Sequence, residues 1–308
     1  MPAAASRRWS RDGGDRPADS AVTSEDETAP AANEVSGAPD RRAERAAVKL
    51  ASDRRGAAIA AISTIVVLGS LTALTLTSEG WPEVREKFFS STEFADTFPD
   101  ILSAFWLDIR VFLIVEVAVL IVGLVVALVR ISKSPAMFPL RLLATIYTDA
   151  FRGVPTILLI YLIGFGVPAL DLQGLPTEPV VLGGIALTLS YGAYVAEVYR
   201  AGLRSVHRGQ REAALAVGLS ERQATRHVIL PQAVRRVGPP LLNDFIALQK
   251  DVALIAILGV TGEAFRQAQI AASSDFNYTP LLGAALLYLV VTVPLARLLD
   301  RWETTQAR

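Results

Sequence analysis

Long apolar segments constrain the fold of this chain more than any other feature. The first, AAIAAISTIVVLGSLTALTLT, covers residues 57–77 and carries no charge. Runs of about 18 or more apolar residues are long enough to cross the hydrocarbon core of a bilayer as helices. Five further segments follow, near residues 111–129, 142–167, 180–199, 239–260 and 281–299. The sequence therefore predicts an all-α integral membrane protein with about six transmembrane helices.

Several classes of function are disfavoured by composition. The chain has no cysteine, which excludes disulfides and thiolate chemistry, and His207 and His227 are too far apart in the sequence to suggest a metal pair. None of the four lysines follows a glycine, so no phosphate-binding G-x-x-x-x-G-K-[ST] loop is present. The net charge of zero predicts no nucleic-acid partner. We therefore expect no enzyme activity and no cofactor bound by this chain.

Composition and charge also divide the chain. Residues 1–55 are polar and predict a disordered cytoplasmic tail, whose basic end favours a topology signal over a role at the membrane surface. Residues 56–104 are expected to hold a first helix and an extracytoplasmic loop, and residues 105–302 the main membrane domain. Connections rich and poor in arginine alternate along the chain, which predicts that both termini lie in the cytoplasm.

One connection, REAALAVGLSERQATRHVILPQAVRR, is unusually charged. REAALAV favours a helix, Gly218 can end it in the left-handed conformation, and Ser220 with Gln223 forms a capping-box pattern before a second helix that ends at Pro231. The loop, residues 205–236, is thus predicted to be a helix–turn–helix on the cytoplasmic face. A surface of small side chains for a partner protein would come from Ala213, Ala214 and Ala216. One alternative is an amphipathic interfacial helix without a partner. A DNA-reading helix–turn–helix is a second alternative, which the flanking membrane spans disfavour.

This loop resembles the E-A-A-x3-G-x9-I-x-L-P signature of permease subunits of ABC importers. The matching residues are Glu212, Ala213, Ala214, Gly218, Val228 in place of the usual isoleucine, Leu230 and Pro231. The resemblance extends over residues 105–302, where FRGVP at 151–155 and the runs 190–214 and 243–260 are similar to the polar amino-acid uptake subfamily, and most of all to its glutamate-type permeases. Val252 and Ala253 depart from it, because hydroxyl residues commonly follow Lys-Asp there.

The resemblance implies a fold, a function and partners. The fold is a five-helix permease core, to which the first helix is an addition. The loop would be a coupling helix that docks on a cytoplasmic ATPase chain, which binds ATP and magnesium. A second permease subunit, identical or homologous, and an extracytoplasmic amino-acid-binding protein would complete an importer of a polar amino acid, glutamate-type, in a bacterial plasma membrane. An ion-coupled secondary amino-acid transporter and a membrane scaffold without transport are the alternatives.

Polar residues within the apolar segments are candidates for the substrate path, because ionisable groups in a bilayer are costly and usually functional. In the fifth segment, Asn243 and Lys250 are expected to share one helix face, and Asp244 and Asp251 the adjacent face. The candidates are Ser190, Glu197, Asn243, Asp244, Gln249, Lys250 and Asp251.

Structural roles are the alternatives for several of these residues. Glu197 can pair with Arg200 on the same helix. Lys250 can form a salt bridge with an acid from another helix, and Lys250 and Asp251 can serve in structure or gating. The sequence offers no partner for Glu116. FRGVP favours a break in the helix, because Gly153 and Pro155 are weak helix formers.

Overall fold

The computed structural model describes residues 41–306, in which every regular element is helical and none is a strand. The α-helices are α1 (Arg41–Leu76), α2 (Trp81–Phe88), α3 (Ser91–Ile131), α4 (Phe138–Gly153), α5 (Thr156–Ala169), α6 (Pro179–Ser205), α7 (Arg208–Ala216), α8 (Glu221–Ala224), α9 (Leu230–Asp251), α10 (Ala264–Asp275) and α11 (Thr279–Gln306). A π-helical turn, Thr225–Ile229, joins α8 to α9, and a 3₁₀ segment, Val252–Leu258, follows α9.

Four helical stretches are long and apolar enough to cross a membrane. They lie in α1, in α2–α3, in α6 and in α11, and α4 with α5 makes a fifth if the 108° bend between them belongs to one broken span. The bend falls at Gly153–Pro155, as the FRGVP motif predicts. These helices confirm the prediction of an all-α membrane protein.

The fifth apolar segment of the sequence, residues 239–260, differs from the expectation. It is divided between the end of α9 and the 3₁₀ segment, which ends at Gly259 in the left-handed conformation. Asp244, Lys250 and Asp251 lie in it, and no single helix there meets the length and apolarity of a span. The described residues therefore provide four or five spans where the sequence suggested about six.

The N-terminal part forms a compact unit of its own that ends at Ala73, and a second unit begins at Leu74. In α1 the apolar side chains from Ala57 onward are exposed, as a helix that faces lipid requires. The predicted tail lies outside the described residues as far as residue 40, whereas residues 41–54 are helical. Their sequence, RRAERAAVKLASDR, is rich in alanine, arginine and other strong helix formers.

The predicted extracytoplasmic loop is also helical. α2 and the first turns of α3 occupy residues 81–104, and Ser90 accepts a hydrogen bond from the backbone of Glu93 as the N-cap of α3. With 41 residues, α3 is about 60 Å long, twice the hydrocarbon thickness, so part of it extends beyond the membrane.

Helix α6 is the centre of the second unit and packs against α3, α4, α5 and α9. Glycines permit the closest of these approaches: a β-carbon on Gly123 of α3 would lie 3.2 Å from the backbone nitrogen of Ala196, and one on Gly183 would overlap Ile255. Without a hydrophobic driving force between helices in lipid, close van der Waals contact at small residues supplies much of the association energy.

Two buried clusters complete the packing. The larger joins α3, α5, α6, α9 and the 3₁₀ segment through Val111, Phe112, Val115, Val119, Ile160, Ala186, Leu187, Tyr191, Val195, Leu248, Val252, Ile255, Leu258 and Val260. The smaller joins the first half of α3 to α10 and α11 through Ile101, Phe105, Ala264, Ala268, Ala284 and Leu287.

A buried polar cluster lies beside the smaller apolar one. The hydroxyl of Tyr288 on α11 is 3.0 Å from Oδ2 of Asp108 on α3 and 3.2 Å from Oε1 of Glu263. Both carboxyl groups are buried, and Glu263 also accepts hydrogen bonds from the backbone of Phe265 and Arg266 as the N-cap of α10. One hydroxyl thus joins three helices at a depth where a lost hydrogen-bond partner is costly.

We expect Tyr288→Phe to destabilise the protein by about 1–3 kcal/mol, because two buried carboxyl groups lose their shared hydroxyl. Thermal unfolding of the purified protein in detergent, followed by tryptophan fluorescence, measures the change. Tyr161→Phe is the matched control, since Tyr161 is half-exposed and its hydroxyl has no hydrogen bond among the described residues. Equal unfolding midpoints for the two variants would contradict this role of Tyr288.

Candidate coupling loop and transport path

The first helix of the 205–236 loop, α7, ends in a backbone cap that depends on one glycine. His207 begins the helix by accepting a hydrogen bond from the backbone of Gly209 at Nδ1. At the other end Gly218 has a φ of +86°, and the next amide, that of Leu219, donates to the carbonyl of Ala214 at 3.1 Å. This is the hydrogen bond that a left-handed residue makes possible at a helix C-terminus. The spacing of Ala214 and Gly218 in the signature is therefore the spacing of this cap.

The turn after Gly218 leads directly into α8 through the predicted capping box. Ser220 accepts a hydrogen bond from the backbone of Gln223, and the Gln223 side chain accepts one from the backbone of Ser220 at 2.9 Å. Arg211 of α7 and Glu221 of α8 then join the two helices by an ion pair of 2.6 Å. The predicted helix–turn–helix is confirmed in these residues.

Pro231 does not end the second helix, which corrects the sequence interpretation. The chain continues from α8 through the π turn into α9, with Pro231 in the first turn of α9. The amide of Leu230 donates to the carbonyl of Thr225, five residues earlier. This wider turn accommodates a proline, whose ring would otherwise meet the carbonyl four residues before it.

The signature residues divide into an exposed set and an internal set. Glu212, Ala213, Gly218, Leu230 and Pro231 are exposed. Ala214 is buried, so only Ala213 and Ala216 remain from the predicted surface of three alanines. Val228 is half-buried, and its carbonyl accepts a hydrogen bond from the side chain of Gln232 at 2.9 Å. Two apolar side chains close in sequence to the exposed signature residues are also exposed, Val217 at 78% and Val234 at 60%. The loop therefore presents a surface that a partner can cover.

Glu197 connects two helices at one end of the membrane domain. It pairs with Arg200 in the next turn of α6, as the sequence alternative proposed, and also with Arg130 near the end of α3 at 2.8 Å. The second partner comes from a residue 67 positions away and carries no sequence signal. The pair is partly buried, with 10% of the Arg130 side chain and 23% of the Glu197 side chain exposed. It therefore fixes the ends of α3 and α6 against each other.

Three of the path candidates are held by hydrogen bonds within the chain. Ser190 is fully buried and lies 3.0 Å from the hydroxyl of Thr156 on α5. Gln249 is also buried and accepts a hydrogen bond from Thr292 on α11 at 2.9 Å. Asp251 accepts one from the hydroxyl of Tyr191 on α6 at 2.8 Å. Each of the three thus joins neighbouring helices.

The remaining candidates on α9 have no such bonds in the described residues. Asn243 and Lys250, which were predicted to share a face, are both exposed. Asp244, predicted on the adjacent face, is half-buried, so the exposures agree with the two predicted faces. No ion pair of Lys250 occurs among residues 41–306, so the alternative of a salt bridge with an acid from another helix is not met there. One carboxylate oxygen of Asp244 is buried without a hydrogen bond there, and Glu116 of α3 is near enough for repulsion between the two carboxylates.

Sequence reasoning missed several polar residues that the fold brings together. Asp108 and Glu263 are 155 positions apart in the sequence and come together at the hydroxyl of Tyr288, although an acid at the start of an apolar run was a visible signal for Asp108. Arg266 borders two cavities of about 410 Å³ and 250 Å³, and its Nε is buried without a hydrogen bond in the described part of the chain. Within that part, no group of three or more histidine, aspartate or glutamate side chains could hold a metal ion.

Relatives named as amino-acid permeases match more than half of the chain. The probable amino-acid permease protein YxeN of Bacillus subtilis is 36% identical over 212 residues, which are 68% of this chain and 93% of the relative. The arginine transport system permease protein ArtQ of Bacillus subtilis is 33% identical, covering 63% of this chain and 87% of the relative. The putative glutamine transport system permease protein GlnP of Rickettsia conorii is 38% identical, covering 56% and 78%.

The fold also matches a solved structure, described as the crystal structure of an amino acid ABC transporter with histidines. The TM-score is 0.63 at 29% sequence identity, and the match covers 70% of this chain and 98% of that one. Residues 119–304 match the family profile described as binding-protein-dependent transport system inner membrane component. With its coupling-loop signature in an all-helical membrane fold, this chain belongs to that family, as a membrane-spanning permease subunit of an ABC importer and not an enzyme.

Proposed function

We propose that this permease imports a polar amino acid, of the glutamate type, across the bacterial plasma membrane with both of its termini in the cytoplasm. The observation that carries the proposal is the signature loop, with Gly218 in the left-handed cap, in a chain whose relatives are named as amino-acid permeases. Lys250 and Arg266 supply positive charges that suit the carboxylate groups of such a substrate. The relatives named for arginine and glutamine support the class of polar amino acids, and glutamate is the narrower part of the proposal.

The proposed assembly has partners that family membership implies. Two permease subunits, identical or homologous, enclose the path at their interface, and an extracytoplasmic amino-acid-binding protein delivers the substrate. Two cytoplasmic ATPase subunits bind ATP and magnesium and contact the exposed residues of the loop, with Glu212, Ala213 and Leu230 at the contact. Membrane lipid surrounds the assembly.

The continuity of α8, the π turn and α9 offers a physical route for coupling. The three elements follow one another without a non-helical residue from Glu221 to Asp251, so a force on the loop would act on the face of α9 that bears Asn243, Asp244 and Lys250. Glu197 holds α3 to α6 at the cytoplasmic end, so these two helices can stay in place while α9 moves relative to them. Movement of α9 against α6 would then open the path to one side of the membrane or the other.

Uptake into proteoliposomes tests the function directly. With the binding protein outside and ATP inside, we expect import of a radiolabelled polar amino acid, and competition by unlabelled glutamate, glutamine and arginine ranks the substrates. Import that requires a sodium or proton gradient and proceeds without ATP would overturn the proposal in favour of a secondary transporter, an alternative that no comparison supports.

Gly218→Val should uncouple the loop. A β-branched residue at a φ of +86° costs at least about 1–2 kcal/mol, and the strain displaces α7 from α8 without a steric clash, because nothing lies within 4 Å of the added β-carbon. We expect a several-fold loss of the ATP hydrolysis that substrate-loaded binding protein stimulates. Gly80→Val is the matched control, since its surroundings are equally open and its φ is −83°. Equal stimulation in both variants would contradict the role of the cap.

Lys250→Met and Gln249→Leu separate path lining from structure. Lys250 has no ion pair among the described residues, so its replacement should leave the unfolding temperature unchanged. Because Lys250 is proposed to line the path, the same replacement should lower uptake several-fold. Gln249→Leu leaves the Thr292 hydroxyl without its partner and should lower stability by about 1 kcal/mol. Thermal unfolding and uptake are measured on the same preparations. Normal uptake with Lys250→Met would remove Lys250 from the path.

A further inference from the structure

A cavity of about 280 Å³ lies where α3 and α6 end and α4 begins. Four arginines border it, from three helices: Arg130, Arg141, Arg200 and Arg204. The volume is below the about 300–1,000 Å³ of pockets for drug-sized ligands, so it suits a small group. We propose that this cavity binds the phosphate-bearing headgroup of an anionic phospholipid in the leaflet on this side of the membrane.

The arginines exceed the carboxylates that can neutralise them. Glu197 pairs with Arg130 and Arg200, and Asp149 of α4 is the other carboxylate whose charge reaches Arg200. Arg204 is exposed and has no ion pair or hydrogen bond among the described residues. Four guanidinium groups therefore meet two carboxylates, and the excess positive charge favours an anion.

The cavity is also partly preorganised. Glu197 holds Arg130 and Arg200 in place, and Arg141 donates a hydrogen bond of 2.7 Å to the carbonyl of Ser132. The Arg141 guanidinium further lies 5.7 Å from the centre of the Phe138 ring. Side chains that are already fixed lose less conformational entropy on binding, and planar guanidinium groups match the oxygens of a phosphate.

Apolar side chains beside the arginines point to a lipid as the source of the phosphate. Phe138 and Leu142 border the cavity and are 58% and 50% exposed, and Leu143 and Ile146 on the same helix are exposed as well. A free phosphate ion makes no favourable contact with these apolar side chains, whereas the acyl chains of a phospholipid can cover them. Basic cavities between transmembrane helices are a known mode of recognition for anionic lipid headgroups.

The position of the cavity agrees with this ligand. Arg130 lies one residue before the end of α3, and Arg200 and Arg204 lie in the last two turns of α6. Both helices are long and apolar enough to span a membrane, so we expect these guanidinium groups near the headgroups where the spans end. Assignment of this side to the cytoplasmic leaflet rests on the proposed function and its orientation. The binding of lipid does not, because the same residues form the cavity in either orientation.

Native mass spectrometry of the full-length chain, in the complex that it forms in the membrane, tests the site. Dioleoylphosphatidylglycerol should be retained in preference to dioleoylphosphatidylcholine. Each arginine near an anionic membrane surface contributes about 1 kcal/mol, so Arg141→Gln with Arg204→Gln should weaken retention by about thirty-fold, and Arg204→Gln alone by about five-fold. The single variant removes no internal bond of the described chain, so its effect is independent of folding.

Arg85→Gln with Arg110→Gln is the matched control, because it removes two exposed arginines of α2 and α3 away from the cavity. Its retention of phosphatidylglycerol should equal that of the unmodified chain. Equal retention of the two lipids, or equal retention by the Arg141/Arg204 variant and the control, would overturn the proposal. Displacement of the lipid by millimolar inorganic phosphate would assign the cavity to a free anion instead.

A complex that excludes phosphatidylglycerol while the isolated chain retains it would mean that a protein partner fills the cavity, and this too would overturn the lipid assignment. The readout is lipid retention and not uptake. A failed lipid site would therefore leave the importer proposal intact, and a failed uptake experiment would leave the lipid result standing.

Discussion

The close packing of α6 against its neighbours is the interaction on which the rest of the membrane domain depends. Gly123 and Gly183 permit α3 and the 3₁₀ segment to approach α6 so closely that a single β-carbon would overlap the neighbouring side chain. In lipid, where helices gain little from hiding apolar surface, this contact and the few interhelical hydrogen bonds hold the bundle together. The Glu197–Arg130 ion pair at one end and the Tyr191–Asp251 bond further along α6 both require helices at this distance.

The signature loop has a physical explanation in the same terms. Ala214 and Gly218 are spaced as a helix with a left-handed C-terminal cap requires. Pro231 comes directly after a π turn, whose wider hydrogen-bond spacing accommodates a residue without an amide hydrogen. One side of the loop, with Ala214, is buried against its own chain, and the other side is exposed. Because helical residues continue from α8 through the π turn into α9, the surface for a partner is joined directly to a helix of the membrane domain.

The polar residues of the membrane domain form two groups, those with hydrogen bonds to neighbouring helices and those without. Ser190, Gln249 and Asp251 form hydrogen bonds to neighbouring helices, and Asp108 and Glu263 share the hydroxyl of Tyr288. Asn243 and Lys250 are exposed on α9 without such bonds in the described residues. Residues of the first kind stabilise the bundle, while those of the second kind are available to a substrate or a second subunit.

The sequence by itself determined the helical class, the break at FRGVP, and the two helices of the loop with the caps at Gly218 and Ser220 that lie between them. All of these follow from local rules: apolar runs, weak helix formers and the fixed offsets of Gly218, Ser220 and Gln223. Periodicity also predicted which α9 residues share a face. The division of the apolar stretch at 239–260 between a helix end and a 3₁₀ segment could not be read from its length and composition.

Only the tertiary structure decided the pairings between distant residues. Arg130 with Glu197, Thr292 with Gln249 and Asp108 with Glu263 are contacts between helices far apart in the chain, and no local pattern specifies which side chains meet when helices pack. The same holds for the cavity of four arginines, which three helix ends form together. Local propensity is encoded in neighbouring residues, whereas the register between helices depends on the fit of whole surfaces.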